Sequence, residues 1–193
     1  MLKTRLVLAG LLALALLATG CGGAKKPNDL AWEIQDFAFI DQNGQEITLE
    51  SLKGEVWLAD FIFTNCTSVC QPMTYNMSKI QKMLKEKGIK AKIVSFTVDP
   101  ERDSPEALKQ FVSKFTDDQS NWHLLTGYTQ EEISKFAKES FRTIAEKPTD
   151  GSDQFIHQTL FYLVDQNGII VKAYNGTDLD FDEVVKDTKA LAG

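Results

Sequence analysis

The stretch Val56-Trp57-Leu58-Ala59-Asp60-Phe61-Ile62-Phe63, followed directly by Thr64-Asn65-Cys66-Thr67-Ser68-Val69-Cys70-Gln71-Pro72, decides how this chain is read. A run in which only Asp60 is not apolar predicts a central strand covered on both faces, because a strand with one solvated face alternates polar and apolar residues. From about Pro72 to Lys87, Met73, Met77, Ile80, Met83 and Leu84 recur at helical spacing, and Gly88 supplies the stop. Cys66 and Cys70 therefore sit where a central strand turns into a helix, the end at which open α/β sheets build their sites.

Outward from this point the pattern repeats. Phe37 to Ile40 and Glu46 to Leu49 flank Asp41-Gln42-Asn43-Gly44 and predict an N-terminal β-hairpin. Lys92 to Val98 reads as a second strand, and Ser104-Pro105-Glu106 opens a helix that turns Leu108, Phe111, Val112 and Phe115 inward. Trp122 to Leu125 is a short strand, and Thr129-Gln130-Glu131-Glu132 is a capping box for a helix running to about Phe141. After a polar loop from Glu146 to Gln154, Thr159 to Val164 and Ile169 to Tyr174 form a second hairpin around Asp165-Gln166-Asn167-Gly168, and a helix from about Phe181 to Leu191 closes the chain. The expected fold is α/β, a central mixed sheet flanked by helices with an added N-terminal β-hairpin.

The compartment is read from the first residues. Lys3 and Arg5 precede an apolar run from Leu6 to Leu17 ending in Ala18-Thr19-Gly20, a secretory signal too short for a comfortable membrane span. Cys21 follows, and small residues before a cysteine resemble the lipobox of bacterial lipoproteins, with Ala18 standing where leucine is usual. The resemblance implies that Cys21 is acylated and becomes the new N-terminus. Residues 1–20 are then a lipoprotein signal peptide, 21–33 a lipidated tether and 34–193 the folded domain, held at the extracytoplasmic face of a bacterial cell membrane. Removal of the leader takes two bases and no acid from a chain of 21 basic and 27 acidic residues. So acidic a domain excludes nucleic acid as a partner, since phosphate binding needs a positive surface.

With Cys21 lipidated, Cys66 and Cys70 are the only pair in an oxidising compartment. A disulfide between them closes too short a loop to do much for folding, which leaves redox exchange and metal ligation. Both need the thiolate, which a helix N-terminus favours; if the chain is helical there, the two side chains stand on one face a turn apart. Of the two histidines, His157 lies at a loop-to-strand junction from which it can reach a neighbouring site, whereas His123, inside Trp122 to Leu125, reads as a strand residue. Two thiolates and an imidazole form a soft set suited to Cu(I), and to Cu(II) with one further weak donor, whereas structural zinc wants four ligands. Met73 and Met77 could offer a thioether but lie on the apolar stripe of their helix.

These residues match a known family. Cys66-x-x-x-Cys70 after the strand, "VDPERDSPEAL" at 98–108, "LTGYTQEEISKFA" at 125–137 and His157 before "FYLVDQNG" make the chain resemble the Sco (synthesis of cytochrome c oxidase) copper chaperones, thioredoxin-fold proteins of respiratory membranes. The resemblance implies a thioredoxin-like fold from about Phe37 onward. It implies copper held by Cys66, Cys70 and His157, delivery to the copper A centre of cytochrome c oxidase subunit II, and a role for Asp99 near the site. A monomer is expected. Many members have proline after each cysteine; here Thr67 and Gln71 stand there, with Pro72 one place later.

Asp60 raises a rival reading. It precedes Cys66 by the same interval as the buried aspartate of the thioredoxins, where a carboxylate can exchange protons with thiols, so an extracytoplasmic thiol-disulfide oxidoreductase with Cys66 and Cys70 as its catalytic pair is the alternative. Against it, thioredoxins space their cysteines more closely and carry a proline where this chain has His157-Gln158-Thr159-Leu160. Thr64 could echo the residue before a peroxidatic cysteine, but a peroxidase does not call for the close second cysteine or His157.

Overall fold

The computed structural model describes residues 26–193; the leader and Cys21 lie outside the described residues. In chain order the elements are β1 (Trp32–Glu33), β2 (Ala38–Ile40), β3 (Glu46–Thr48), β4 (Trp57–Ile62), α1 (Cys70–Glu86), β5 (Lys92–Thr97), α2 (Pro105–Val112) and β6 (Trp122–Leu125). There follow α3 (Gln130–Phe141), β7 (Ala145–Glu146), β8 (Ile156–His157), β9 (Leu160–Val164), β10 (Ile169–Asn175) and α4 (Phe181–Ala192).

Six strands form one mixed sheet in the order β1-β10-β9-β4-β5-β6, with β4, β5 and β6 parallel and β9, β10 and β1 added antiparallel. Every residue of β4 is buried, as its unbroken apolar run requires. On one face Phe61 stacks on Phe96, with ring centroids 5.4 Å apart, and Phe136 and Phe141 from α3 and Phe37 and Phe39 from the first hairpin complete an aromatic layer. Alternation puts Asp60 on the opposite face, in register with Ser95 of β5.

The sequence Asp-Gln-Asn-Gly occurs twice and folds the same way twice. Asp41 Oδ1 accepts from the N–H groups of Asn43 and Gln45, and Asp165 Oδ1 from those of Asn167 and Ile169, while Gly44 and Gly168 take φ of 75° and 80°. The first turn also docks its hairpin onto β6: Gln42 pairs with Trp122 O and the Leu124 N–H, and Asp41 Oδ2 lies 3.0 Å from His123 Nδ1. His123 is thus a structural partner far from the dithiol, as expected of a strand histidine.

Two short ladders are not legible in the sequence. Trp32–Glu33 pairs with Ile169 and Ile170, so sheet pairing starts upstream of residue 34. Ala145 and Glu146 pair with His157 and Ile156, giving the polar loop a stem. Pairs of two residues carry no periodicity to read.

Behind β9, Gly176 lies so close to Phe161 that an added Cβ meets its ring at 2.8 Å, with further ring atoms at 3.1 Å. Phe161 is fully buried and has nowhere to retreat. Gly176→Ala is expected to lower stability by about 1–3 kcal/mol through overpacking, measured by urea unfolding; an unchanged midpoint refutes the tight contact.

Candidate metal centre

The dithiol is built around the start of α1. The chain turns after β4, the Cys66 N–H donating back to Phe63 O at 3.4 Å, and the helix begins only at Cys70 with Val69 as a cap residue that contributes no side-chain bond. The two cysteines therefore do not share one helical face. Cys66 precedes the helix, and its sulfur accepts the Cys70 N–H at 3.4 Å. The first turn of a helix has unpaired N–H groups, and here a sulfur takes up one of them in place of a hydroxyl or carboxylate cap. Pro72 fits in the same turn because its missing N–H has no intrahelical partner to lose.

Both cysteines are buried and unbridged. The hydrogen bond from the Cys70 thiol, aided by the N–H groups of Cys70 and Ser68, holds the Cys66 thiol down to about 3. Cys70 is pushed far up, first because it keeps the proton it shares with Cys66 and then by burial. The pair thus holds one proton, as thiolate Cys66 and thiol Cys70.

His157 arrives from β8. Its Nδ1 lies 3.1 Å from Gln158 O, so that nitrogen carries the proton and donates it, leaving the Nε2 lone pair directed at Cys70 Sγ, 3.3 Å away. Phe63 meets the imidazole edge-on at 5.8 Å, and Phe155 packs on Phe63 at 5.6 Å. Sγ of Cys66, Sγ of Cys70 and a ring nitrogen of His157 all lie within 4.8 Å of one another, and this is the only such group among the described residues. Met73 and Met77 are core residues with no exposure. Two soft thiolates and one imidazole, half-open on the His157 side, suit copper, with Cu(I) satisfied by few ligands and Cu(II) able to add another.

Asp60 is fully buried, and neither of its oxygens has a hydrogen-bond partner. Its register neighbour Ser95 is close enough to ease its charge, and Ser95 Oγ, which accepts from Trp122 Nε1 at 2.9 Å, keeps its own hydroxyl proton to turn toward the carboxyl. Burial lifts the Asp60 carboxyl to about 6, against the opposing influence of Ser95 and of His157. Asp99, at the end of β5, is also buried, and its carboxyl is raised by burial and by the neighbouring charge of Asp103. It lies 3.8 Å from Arg102 Nε rather than in the sulfur and imidazole group.

Residues that sequence reasoning did not single out brace the site. Asp103 accepts from the Thr64 N–H at 3.1 Å, from Thr64 Oγ1 at 2.5 Å and from Thr97 Oγ1 at 2.5 Å, tying the dithiol turn to β5. Thr64 therefore spends its hydroxyl on a carboxylate, not on a sulfur. Arg102 Nη1 and Asn65 Nδ2 both donate to Asp153 Oδ2, at 3.1 and 2.8 Å, and Gln154 bonds to Asn65 and Thr67. Arg102 and Asp103 lay within a quoted motif, but Asp153 and Gln154 in a polar loop gave no signal at all.

Comparison with known proteins agrees with this geometry. The SCO1/SenC family model matches residues 25–193. The chain is 49% identical over 185 residues to the SCO1 protein homolog of Bacillus subtilis (strain 168), covering 95% of this chain and 94% of that protein. It superposes with a TM-score of 0.82 and 48% identity on a SCO1/SenC family lipoprotein from Bacillus anthracis str. Ames, covering 88% and 99% of the two chains. BsSco, described as a member of the Sco family of cytochrome c oxidase assembly proteins with a disulfide switch, gives 0.80 and 47%, covering 87% and 98%. Bradyrhizobium japonicum ScoI, solved with copper bound, gives 0.69 and 30%, covering 82% and 99%. A thioredoxin-like fold with a Cys-Cys-His group and a family match over all the described residues leads to one conclusion: the chain belongs to the SCO1/SenC family.

Proposed function

We propose that this protein is a membrane-tethered copper chaperone serving assembly of the copper A centre in cytochrome c oxidase subunit II. One observation carries the reading: two sulfurs and an imidazole nitrogen lie within 4.8 Å, with the other imidazole nitrogen committed to Gln158 O. Copper is cargo here. Cys66 supplies a ready thiolate, Cys70 gives up its proton on binding, and transfer proceeds by exchange of these ligands for cysteines and histidines of the recipient. The half-exposed His157 is the ligand open to an incoming partner, whereas both cysteines are buried. Oxidation of the pair to a disulfide releases two electrons and the one proton that the pair holds and removes both sulfur ligands, so loading follows redox state. The lipoprotein from Bacillus anthracis supports anchoring through Cys21. No described helix is long and apolar enough to cross a membrane.

The test is transfer to a soluble subunit II domain with reduced cysteines. The copper-loaded reduced protein is expected to generate the copper A absorption, and the disulfide form none; equal transfer from both sinks the reading. Deleting the gene and finding normal copper in the oxidase removes the assembly role.

Asp60 favours a second reading, thiol-disulfide exchange. The Cys66 thiolate attacks a partner disulfide, and Cys70 then displaces the partner from the mixed disulfide. The partner's two sulfurs leave as thiolates that take their protons from water, this chain keeps the disulfide, and the Cys70 proton passes to the Asp60 carboxylate. An Asp60→Asn protein that keeps copper binding and loses exchange supports this activity; one that keeps both denies it.

A further inference from the structure

The side-chain amide of Gln154 lies across Cys66. Its Oε1 accepts from the Thr67 N–H at 3.1 Å and from Thr67 Oγ1 at 3.0 Å, while its Nε2 donates to Asn65 O at 3.1 Å. These are the peptide groups immediately before and after Cys66, so one carboxamide brackets the cysteine from both sides. Asp153 steadies the bracket: its Oδ1 accepts from Gln154 Nε2 at 3.0 Å, and its Oδ2 takes Asn65 and Arg102. Gln154 stands three residues before His157 on the same segment. Besides these bonds, that segment is held by a ladder of two residue pairs and by the Phe155 contact with Phe63.

We propose that Gln154 is a positioning residue for copper, resting on the chaperone reading, that sets the separation between the Cys66 sulfur and the His157 imidazole. A carboxamide is the side chain the task demands, because a donor and an acceptor must be offered at once to a carbonyl and an N–H either side of one residue. Glutamate at 154 keeps the acceptor for Thr67 but faces the Asn65 carbonyl with no donor, and it sets a negative charge beside the Cys66 thiolate. Alanine leaves both peptide groups to water. In either case the segment carrying His157 loses its bonds to the backbone on both sides of Cys66, keeping only the Asp153 bond to the Asn65 side chain, and the ligand set is less well pre-arranged.

Two measurements on the full soluble domain test this. In the metal-free reduced protein the Thr67 amide is expected to exchange with solvent about tenfold faster in Gln154→Ala than in the native chain, since its only acceptor is gone. An unchanged rate shows that the bracket is absent and overturns the proposal whether or not copper binds. On titration with Cu(I) and Cu(II), Gln154→Ala and Gln154→Glu are expected to bind about 10-fold to 100-fold more weakly, the usual loss for residues that orient a ligand. The thiolate-to-copper absorption of the Cu(II) form should also shift, while Thr149→Ala, at an exposed position of the same loop, leaves affinity and spectrum unchanged. A native protein that binds copper alongside a Gln154→Ala protein with the same affinity and spectrum overturns the positioning role and leaves the chaperone reading standing. A native protein that binds no copper sinks both, and the exchange result then reports on the bracket alone.

Discussion

Replacing His157 by alanine will weaken copper binding by at least about 100-fold, because even residues that merely orient a ligand cost 10-fold to 100-fold and in the proposed site His157 is itself the ligand. Its Nε2 is the only imidazole nitrogen beside the two sulfurs, and His123, the one other histidine, is bonded to Asp41. Cu(II) should suffer more than Cu(I), since two thiolates alone satisfy Cu(I) far better than they satisfy Cu(II). The fold should survive: His157 is half-exposed and contributes one side of a two-pair ladder. Competition titration of the reduced domain against a chelator of known affinity, with circular dichroism as a check on folding, makes the measurement. Native affinity in His157→Ala for both oxidation states shows that the third ligand lies elsewhere.

Asp60 governs how stability depends on pH. Buried without a partner, its carboxyl loses its proton only near pH 6 in the folded chain, against about 3.9 when unfolded. Between these values the folded state binds the proton and the unfolded state does not. The folded chain is therefore favoured at low pH, and that advantage drains away as pH rises through about 6. At 1.36 kcal/mol per pH unit the loss is roughly 3 kcal/mol by neutral pH, from this one residue. Asp60→Asn flattens the slope in that window, leaving the smaller contributions of the other raised carboxyls Asp99 and Asp103, and makes the reduced, metal-free protein more stable than the native chain at pH 7. Denaturant unfolding at pH 4.5 and pH 7.5 decides it; parallel curves for the two proteins refute the buried, unpartnered carboxylate. A natural chain that retains so costly a residue directly under its dithiol gives weight to the exchange reading, which the copper titration of the same variant separates from cargo binding.

How much of this was legible varies from residue to residue. The unbroken apolar run of β4 gave a doubly covered strand, and the capping box at Thr129, the Pro105 start and the two Asp-Gln-Asn-Gly turns each gave an element boundary. Such signals are local: they depend on how neighbouring residues satisfy one another's backbone groups. The start of α1 was read less well. Helical spacing of the methionines pointed to Pro72, whereas the helix starts at Cys70, because a sulfur four residues upstream accepts the N–H that no ordinary cap was there to take.

By itself the sequence determined the sheet's central strands, the helices and the three side chains, Cys66, Cys70 and His157, that the fold gathers into one group, because patterning and ligand chemistry belong to residue types. Only the tertiary structure decided that Cys66 stands outside the helix, that His157 turns Nε2 and not Nδ1 to the sulfurs, and that Asp60 has no partner. It alone showed Asp103, Asp153 and Gln154 binding the dithiol turn to segments 39 to 89 residues away. The reason is physical: periodicity reports what each residue does to its own backbone, whereas a hydrogen bond between distant loops exists only once the sheet has fixed where both loops begin and end.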